Sequence, residues 1–345
     1  MSIIPWYTEN ICDESTILSS RIRLARNLKK YPFSQKLSND DASHMLEEIN
    51  HSVAHANDNN KKFFRLLDIN SLSTAEQRVF LEKHIVSQEF LKEQQPKGLL
   101  ISDNQNISVM INEEDHIRIQ SIRAGESIEM AFETANQIDD LIEESLEYAF
   151  HDEYGYLTSC PTNTGTGLRA SYMVHLPSLT MSDVIKDLLP YIQKMGITLR
   201  GIYGEGSAPL GSIYQISNQT TLGKSEAEII ESLTTITNYV IEQEKTALEK
   251  IISSQKNVLV DRIYRSYGIL SNARLITTKE AMGFLSDIRL GYITGILDIP
   301  KKEKQIYQIM MEIQPGHLMR VIGEDLSGTE RALKRANTLR EIFKQ

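Results

Sequence analysis

The sequence predicts an α+β fold: a largely antiparallel sheet covered by helices, followed by a small all-helical C-terminal region. Three observations predict it. Between residue 18 and about residue 221, short alternating apolar segments interleave with stretches of 3.6-residue period. Several neighbouring segments are joined by short polar turns such as Asp103-Asn104-Gln105-Asn106, which favours antiparallel pairing. After Ser225 the alternation stops and only helical periodicity continues, so we expect domains over 1–254 and 255–345.

Taken in order, strands are expected at 20–24, 63–69, 98–101, 107–111, 117–122, 168–176, 197–203 and 212–216. Helices are expected over 39–56, 74–90 and 127–150, the last carrying the apolar stripe Ile128, Ala131, Phe132, Ala135, Ile138, Leu141 and Ile142. Another helix starts near Ser182, a long one covers 225–253, and shorter ones follow at 257–267, 278–292, 303–313 and 329–343. Leu285, Ile288, Tyr292, Ile293, Leu297 and Ile299 give the C-terminal region more apolar surface than a few short helices readily bury. That surplus suggests a self-complementary dimer contact.

Composition narrows the functional classes. Of 345 residues, 41% are hydrophobic and 24% charged, which excludes a disordered polymer. Lys plus Arg total 37 against 46 for Asp plus Glu, a net charge of -9, so a whole-chain grip on nucleic acid or an anionic membrane is not expected. Any anion site must be local. Cys12 and Cys160 lie far apart without metal-type spacing, which suits a reducing cytoplasm. No stretch approaches the roughly 20 apolar residues of a spanning helix, and the opening MSIIPWYTENICDES does not read as a signal peptide.

The densest signal is S-C-P-T-N-T-G-T-G-L-R at 159–169, a loop that delivers one thiol and one arginine to the start of a strand. A structural turn around a buried cysteine is the competing reading. Arginines recur at strand-like positions: Arg21, Arg23, Arg118, Arg169 and Arg200. Arg21 and Arg23 are two apart and share one strand face. Five planar, permanently charged guanidiniums in one sheet region suggest a polyphosphate cage, although any single one could be a surface ion pair. Glu113, Glu114 and Asp115 in N-E-E-D, and Glu205 in R-G-I-Y-G-E-G, add carboxylates. Such carboxylates can be solvated turns, or they can clamp a cationic acceptor, align one nitrogen for attack and accept its proton.

Competing motifs are weaker. The segment from Asn218 to Ser225 resembles a P-loop but has Asn where the first Gly belongs. His44, His51 and His55 have a spacing that could bind zinc, yet they read better as an exposed polar face. No metal site built from the chain's own side chains is expected.

Together, S-S-R-I-R at 19–23, N-E-E-D-H-I-R at 112–118, C-P-T-N-T-G-T-G-L-R at 160–169 and R-G-x-x-G-E at 200–205 resemble the phosphagen (guanidino) kinases, and within them the bacterial protein-arginine kinases. The resemblance covers about 15–250 and implies a glutamine-synthetase-like catalytic domain. It places ATP, carried with Mg2+, against Ser19, Ser20, Arg21, Ile22, Arg23, His84, Arg118, the run Arg169, Ala170, Ser171, Tyr172 and Met173, and the run Arg200, Gly201, Ile202, Tyr203, Gly204 and Glu205. Glu114 and Glu205 match the carboxylates that grip the acceptor guanidinium. Cys160 matches an active-site cysteine that acts through its charge.

Two departures shape the expected substrate. Metabolic members carry a helical domain of roughly 100 residues ahead of the first arginine motif. Here eighteen residues precede Ser19, which leaves the acceptor side open, as a protein substrate requires. At the C-terminus the regulatory phosphoarginine pattern R-D-x-x-R-A reads Arg331-Ala332-Leu333-Lys334-Arg335-Ala336, keeping both arginines and losing the acid. The resemblance further implies marking of proteins for a Clp unfoldase–protease, a zinc-finger activator protein, a heat-shock transcriptional repressor as target, and a homodimer. Rival readings are a kinase of free arginine or another small guanidine, and a catalytically silent adaptor for a protease. The intact pair of Glu114 and Glu205 argues against the adaptor.

Overall fold

The computed structural model describes residues 5–8, 15–60, 64–92, 95–201, 209–299, 304–323 and 325–344, with the backbone alone over 54–60. Its strands are β1 (Ile17–Arg26), β2 (Phe64–Leu67), β3 (Gly98–Ser102), β4 (Ile107–Ile111), β5 (Ile117–Ala124), β6 (Phe150–His151), β7 (Gly155–Tyr156), β8 (Leu168–His175), β9 (Ile197–Gly201) and β10 (Ile213–Asn218). Eight of them form one sheet in the order β2-β3-β4-β5-β1-β8-β10-β9, and β6 and β7 make a separate small hairpin. The β1–β5, β2–β3, β3–β4 and β4–β5 pairings are antiparallel. The α+β class and all eight expected sheet strands are therefore found, with β9 described as far as Gly201.

The helices are α1 (Asn39–Asn60), α2 (Thr74–Glu82), α3 (Gln88–Lys92), α4 (Ile128–Glu143), α5 (Pro177–Met181), α6 (Ile185–Lys194), α7 (Glu226–Asn272), α8 (Thr278–Ile293), α9 (Ile306–Glu312), α10 (Pro315–Ile322) and α11 (Gly328–Phe343). Capping boxes start α2, α8 and α11, each a hydroxyl residue paired with Glu three positions on: Ser73 with Glu76, Thr277 with Glu280, Ser327 with Glu330.

Three helix expectations need correction. The expected helix over 74–90 is broken, because His84 takes a left-handed backbone (φ 57°) that ends α2 before α3 begins. The helix expected over 127–150 stops at Glu143, and Phe150 lies in the hairpin instead. The helices expected at 225–253 and 257–267 run on as α7, broken only by non-helical geometry at Gln255 (φ -138°, ψ 31°). The helix expected over 303–313 is found as α9, and an unexpected helix, α10, follows it, started by Pro315 with its ring at the first turn.

Two compact units can be described separately. The first comprises Met1–Glu9, Ser19–Ser171 and Ser217–Leu233; the second comprises Asn10–Leu18, Tyr172–Ile216 and Thr234–Gln345. In the first, α4 buries Ile128, Ala131, Ala135, Ile138 and Ile142. The Arg123 guanidinium on β5 donates to Thr134 Oγ1 on α4 at 3.0 Å, so α4 covers the sheet face bearing residues 119, 121 and 123. On the other face, Leu99, Ile101 and Met110 pack with Ile69, Ile85, Val86 and Phe90 around the end of α2. In the second unit, Leu285, Ile288 and Leu297 are buried core and Tyr292, Ile293 and Ile299 half-buried. Half of the residues that carry the apolar surplus are thus fully covered within the chain. Among the described residues no helix is long and apolar enough to cross a membrane.

A buried ion pair ties β1 to α4. Arg26 donates through Nε and Nη2 to Asp139 Oδ2 at 3.0 and 2.6 Å, through Nη1 to the carbonyls of Ala25 and Thr166, and lies 3.6 Å from the Tyr156 ring centre. Removing one partner would strand a buried charge. Asp139→Leu is expected to destabilise the chain by about 3–5 kcal/mol in urea unfolding. A loss under about 1 kcal/mol would show that the pair does not anchor β1.

Candidate active site

Strand alternation sorts β1 into two faces. Ile22 and Leu24 are fully buried, while Arg21 and Arg23 point the other way and are half-buried. In the antiparallel register with β5, Arg23 lies opposite Gln120 and Ala25 opposite Arg118, so Arg118 shares the face of Arg21 and Arg23. Arg169 opens β8, and two residues on Ser171 accepts from Arg21 Nε at 3.4 Å, which brings β8 alongside. Four guanidiniums therefore converge on one sheet face. Burial together with Arg21, Arg118 and Arg169 holds Arg23 well below the ordinary arginine value, against the pull of Glu113. Arg23 Nε is buried and has no hydrogen-bond partner among the described residues. A buried donor amid like charges fits a multiply charged anion such as a triphosphate.

The other residues expected at the nucleotide divide by face. Ser19 shares the arginine face. Ser20 turns away: its hydroxyl donates to the Gly125 carbonyl at 2.7 Å and accepts from the Ser127 amide at 2.9 Å. Ile22 also turns away, so these two offer only backbone to that face. On β8, Ala170 and Tyr172 point opposite to Arg169, Ser171 and Met173; the Ala170 amide donates to Asn218 Oδ1 and the Tyr172 hydroxyl meets Thr234 Oγ1 at 3.1 Å.

His84 occupies the left-handed turn after α2, beside Arg21 and Arg23. Burial, with those two arginines, lowers its value to about 3, so its imidazole is neutral near pH 7. Gln120 holds this turn to the sheet, donating to the His84 carbonyl at 2.8 Å and to that of Ile85 at 3.2 Å. Sequence reading missed Gln120, because only the register places it opposite Arg23.

The acidic loop is more finely divided than its spelling suggests. Glu113 is buried and accepts from Arg118 Nη1 at 2.7 Å and from the Ser87 hydroxyl at 2.5 Å. Glu114 has a side chain 44% exposed and accepts from Arg118 Nη2 at 3.1 Å. Burial raises its carboxyl above the ordinary range; Arg118 opposes the shift, and Asp115 and Glu113 add to it. Asp115 is fully buried, and its Oδ1 accepts from Asn27 Nδ2 at 2.8 Å and from the Ser159 amide at 2.7 Å. One carboxylate thus fixes the cysteine loop to the loop that presents Glu114.

Cys160 is half-buried in that loop, its sulfur 3.0 Å from the Thr162 hydroxyl. The loop is closed by its own polar groups: the Asn163 amide donates to the Cys160 carbonyl, as does the Thr158 hydroxyl, and the Thr221 hydroxyl donates to the carbonyls of Thr162 and Thr164. Gly165 (φ 117°) and Gly167 (φ 63°) are required, since a Cβ would lie 2.6 Å from the Thr221 carbonyl oxygen and 2.5 Å from that of Ala25. The P-loop-like segment is part of this scaffold: Asn218 Nδ2 donates to the Leu168 carbonyl and Ser225 caps α7 through Glu228.

Arg200 lies on β9 in the second unit, its Nε donating to Thr198 Oγ1 at 3.2 Å, and Gly201 ends that strand. Ile202, Tyr203, Gly204 and Glu205 fall outside the described residues, as does Cys12. Arg335 is buried on α11, with Nε donating to the Ile313 carbonyl at 2.9 Å and Nη1 to that of Ile276 at 3.0 Å; Arg331 donates to the Leu326 carbonyl. The pair expected to hold phosphoarginine is therefore engaged with the backbone. His44 and His51 are exposed on α1, and among the described residues no cluster of His, Cys, Asp and Glu could hold a metal.

Residues 44–247 match the family model described as ATP:guanido phosphotransferase, C-terminal catalytic domain, and residues 256–345 match that of the protein-arginine kinase McsB C-terminal domain. A protein-arginine kinase of Bacillus cereus (strain AH187) is 45% identical over 344 residues, 99% of this chain and 96% of the relative. One of Bacillus subtilis (strain 168) is 45% identical over 336 residues, 97% and 92% of the two chains. Among solved structures, lombricine kinase aligns with a TM-score of 0.59 at 23% identity over 72% of each chain. The duplicated taurocyamine kinase from Schistosoma mansoni, with bound transition-state-analogue components, aligns at 0.61 and 22% identity over 75% of this chain and 39% of that one. These two likenesses show the fold.

The neutral His84 predicts a pH dependence. Its value is near 6.5 when unfolded and about 3 when folded, so as pH falls below about 6.5 the unfolded chain takes a proton that the folded chain refuses, and stability is lost. His84→Asn keeps a residue tolerant of positive φ. From pH 7 to pH 5 the variant is expected to lose less unfolding free energy than wild type, by on the order of 1 kcal/mol. Equal losses in urea titrations would contradict a neutral, enclosed imidazole.

Proposed function

The chain belongs to the protein-arginine kinases of the ATP:guanido phosphotransferase family and phosphorylates arginine side chains in proteins at the expense of ATP; we propose here which residues do so and where they act. The observation that carries the assignment is the four-arginine sheet face with the buried Arg23 Nε, which has no hydrogen-bond partner among the described residues, adjoined by a raised Glu114 carboxyl. In this reading Arg21, Arg23, Arg118 and Arg169, joined by Arg200, hold the ATP phosphates. Ser19, the backbone of Ser20 and Ile22, His84, Ala170 to Met173 and the run from Gly201 to Glu205 complete the nucleotide site. Mg2+, carried in with ATP and not held by a cluster of the chain's own side chains among the described residues, would supply positive charge that offsets the phosphates.

A guanidinium cannot attack phosphorus while protonated and delocalised. Glu114 and Glu205 would grip it from two sides, align one nitrogen with the γ-phosphorus and take its proton as the nitrogen–phosphorus bond forms and the bond to ADP breaks. The raised value of Glu114 suits it to accept that proton. Cys160 would act through a thiolate charge beside the guanidinium, with no covalent intermediate.

The proposal extends to a division of labour, catalysis over 1–254 and regulation or assembly over 255–345. It also extends to a cytoplasmic setting, marking of proteins for a Clp unfoldase, a zinc-finger activator, a heat-shock repressor among the substrates, and a homodimer. No direct contact with nucleic acid or membrane is invoked. Phosphoarginine binding at Arg331 and Arg335 is expected to be weak, because Arg335 already serves two carbonyls and Ala332 offers no acid.

Glu114→Gln and Glu205→Gln are each expected to lower transfer to a protein acceptor by on the order of 10²-fold while sparing ATP affinity. Near-normal phosphorylation by both variants would sink the clamp.

A further inference from the structure

The turn that carries His84 has an anchor outside the sheet. A helix end leaves carbonyls without partners, and here three consecutive ones are met by three different side chains. Trp6 Nε1 donates to the Lys83 carbonyl at 3.1 Å, Gln120 to those of His84 and Ile85, and the Ser108 hydroxyl to that of Ile85 at 3.1 Å. Gln120 and Ser108 come from the arginine-bearing face, where they lie opposite each other on β5 and β4.

Trp6 comes from somewhere else: a single helical turn, Trp6–Thr8, at the start of the chain. It is the only tryptophan, fully buried, with its ring edge-on to Tyr7 at 5.7 Å. Lys83 is held at both ends, its carbonyl by Trp6 and its ammonium by Gln105 Oε1 at 2.9 Å, with the Tyr7 ring 5.7 Å away. The very next residue is His84 in its left-handed conformation, beside Arg21 and Arg23. A left-handed non-glycine residue persists only where its surroundings over-determine it.

We propose that Trp6 is a positioning residue of the nucleotide site: its indole N–H fixes the Lys83–His84 peptide so that the turn closes over the arginine face. The inference rests on the reading that this face holds the phosphates of ATP. Trp6 touches neither ATP nor acceptor; it acts through the turn. Its indole is also a built-in reporter of that turn, since no other tryptophan contributes emission.

The test uses the full-length chain. Trp6→Phe keeps an aromatic ring and removes the donor to the Lys83 carbonyl, and loss of that hydrogen bond corresponds to a several-fold to tenfold change in an equilibrium that depends on it. We expect ATP affinity by calorimetry and KM for ATP to weaken three- to tenfold, with kcat changed less than about twofold. Titrating wild type with ATP should shift Trp6 emission with the same midpoint as the heat, a readout that does not require the variant to fold. ATP affinity of Trp6→Phe within twofold of wild type, or emission unmoved at saturating ATP, overturns the role of Trp6. Arg23→Met separates the two levels: if it binds ATP as wild type does, the arginine-face reading falls and this inference with it.

Discussion

Like charges brought together on one sheet face are the constraint to which the rest of the first unit answers. Arg21, Arg23, Arg118 and Arg169 converge where strand alternation and antiparallel register leave them no choice, and Arg23 is pushed well below the usual arginine value by burial and its three neighbours. Such a face costs stability until an anion fills it. The fold meets that cost from the opposite side of the sheet, where α4 packs on β5 and the Arg26–Asp139 pair locks β1. Glu113 compensates part of the charge through Arg118, and Arg23 Nε is left without a partner among the described residues.

In the proposed reading the acidic loop converts this electrostatic arrangement into a reaction centre. Glu113 faces inward and positions Arg118, Glu114 faces outward with a raised carboxyl, and Asp115 reaches back to the Ser159 amide. Three adjacent acids therefore do three things: Glu113 holds Arg118, Glu114 stands exposed as the base of the proposed reaction, and Asp115 fixes the loop that presents Cys160. Relatives of nearly equal length are protein-arginine kinases, in keeping with an acceptor that belongs to a protein.

Much of this was legible in the sequence, for identifiable reasons. β1 alternates over Arg21-Ile22-Arg23-Leu24, and arginine at i and i+2 of a strand can only share a face. The cysteine loop announced itself because its glycines sit where a Cβ would strike backbone oxygen. The break at His84 was not legible: the apolar spacing of 74–90 continues helically, and what ends α2 is a left-handed residue held by Trp6, Gln120 and Ser108 from distant positions. Gln120, Glu113 and Asp115 gain their roles from register and burial, which residue type alone does not encode. Arg335 shows the converse, a motif arginine whose guanidinium is spent on the carbonyls of Ile276 and Ile313.

Thermal unfolding of wild type and Arg23→Met, each with and without saturating ATP and Mg2+, tests the central claim most directly. Without nucleotide the variant should be at least as stable as wild type, because a repelled, half-buried cation has been removed. With nucleotide, wild type should gain several degrees in midpoint while the variant gains little, as ligand linkage requires of a site that has lost its grip. A variant that is clearly less stable alone, yet protected by ATP as fully as wild type, would contradict the account.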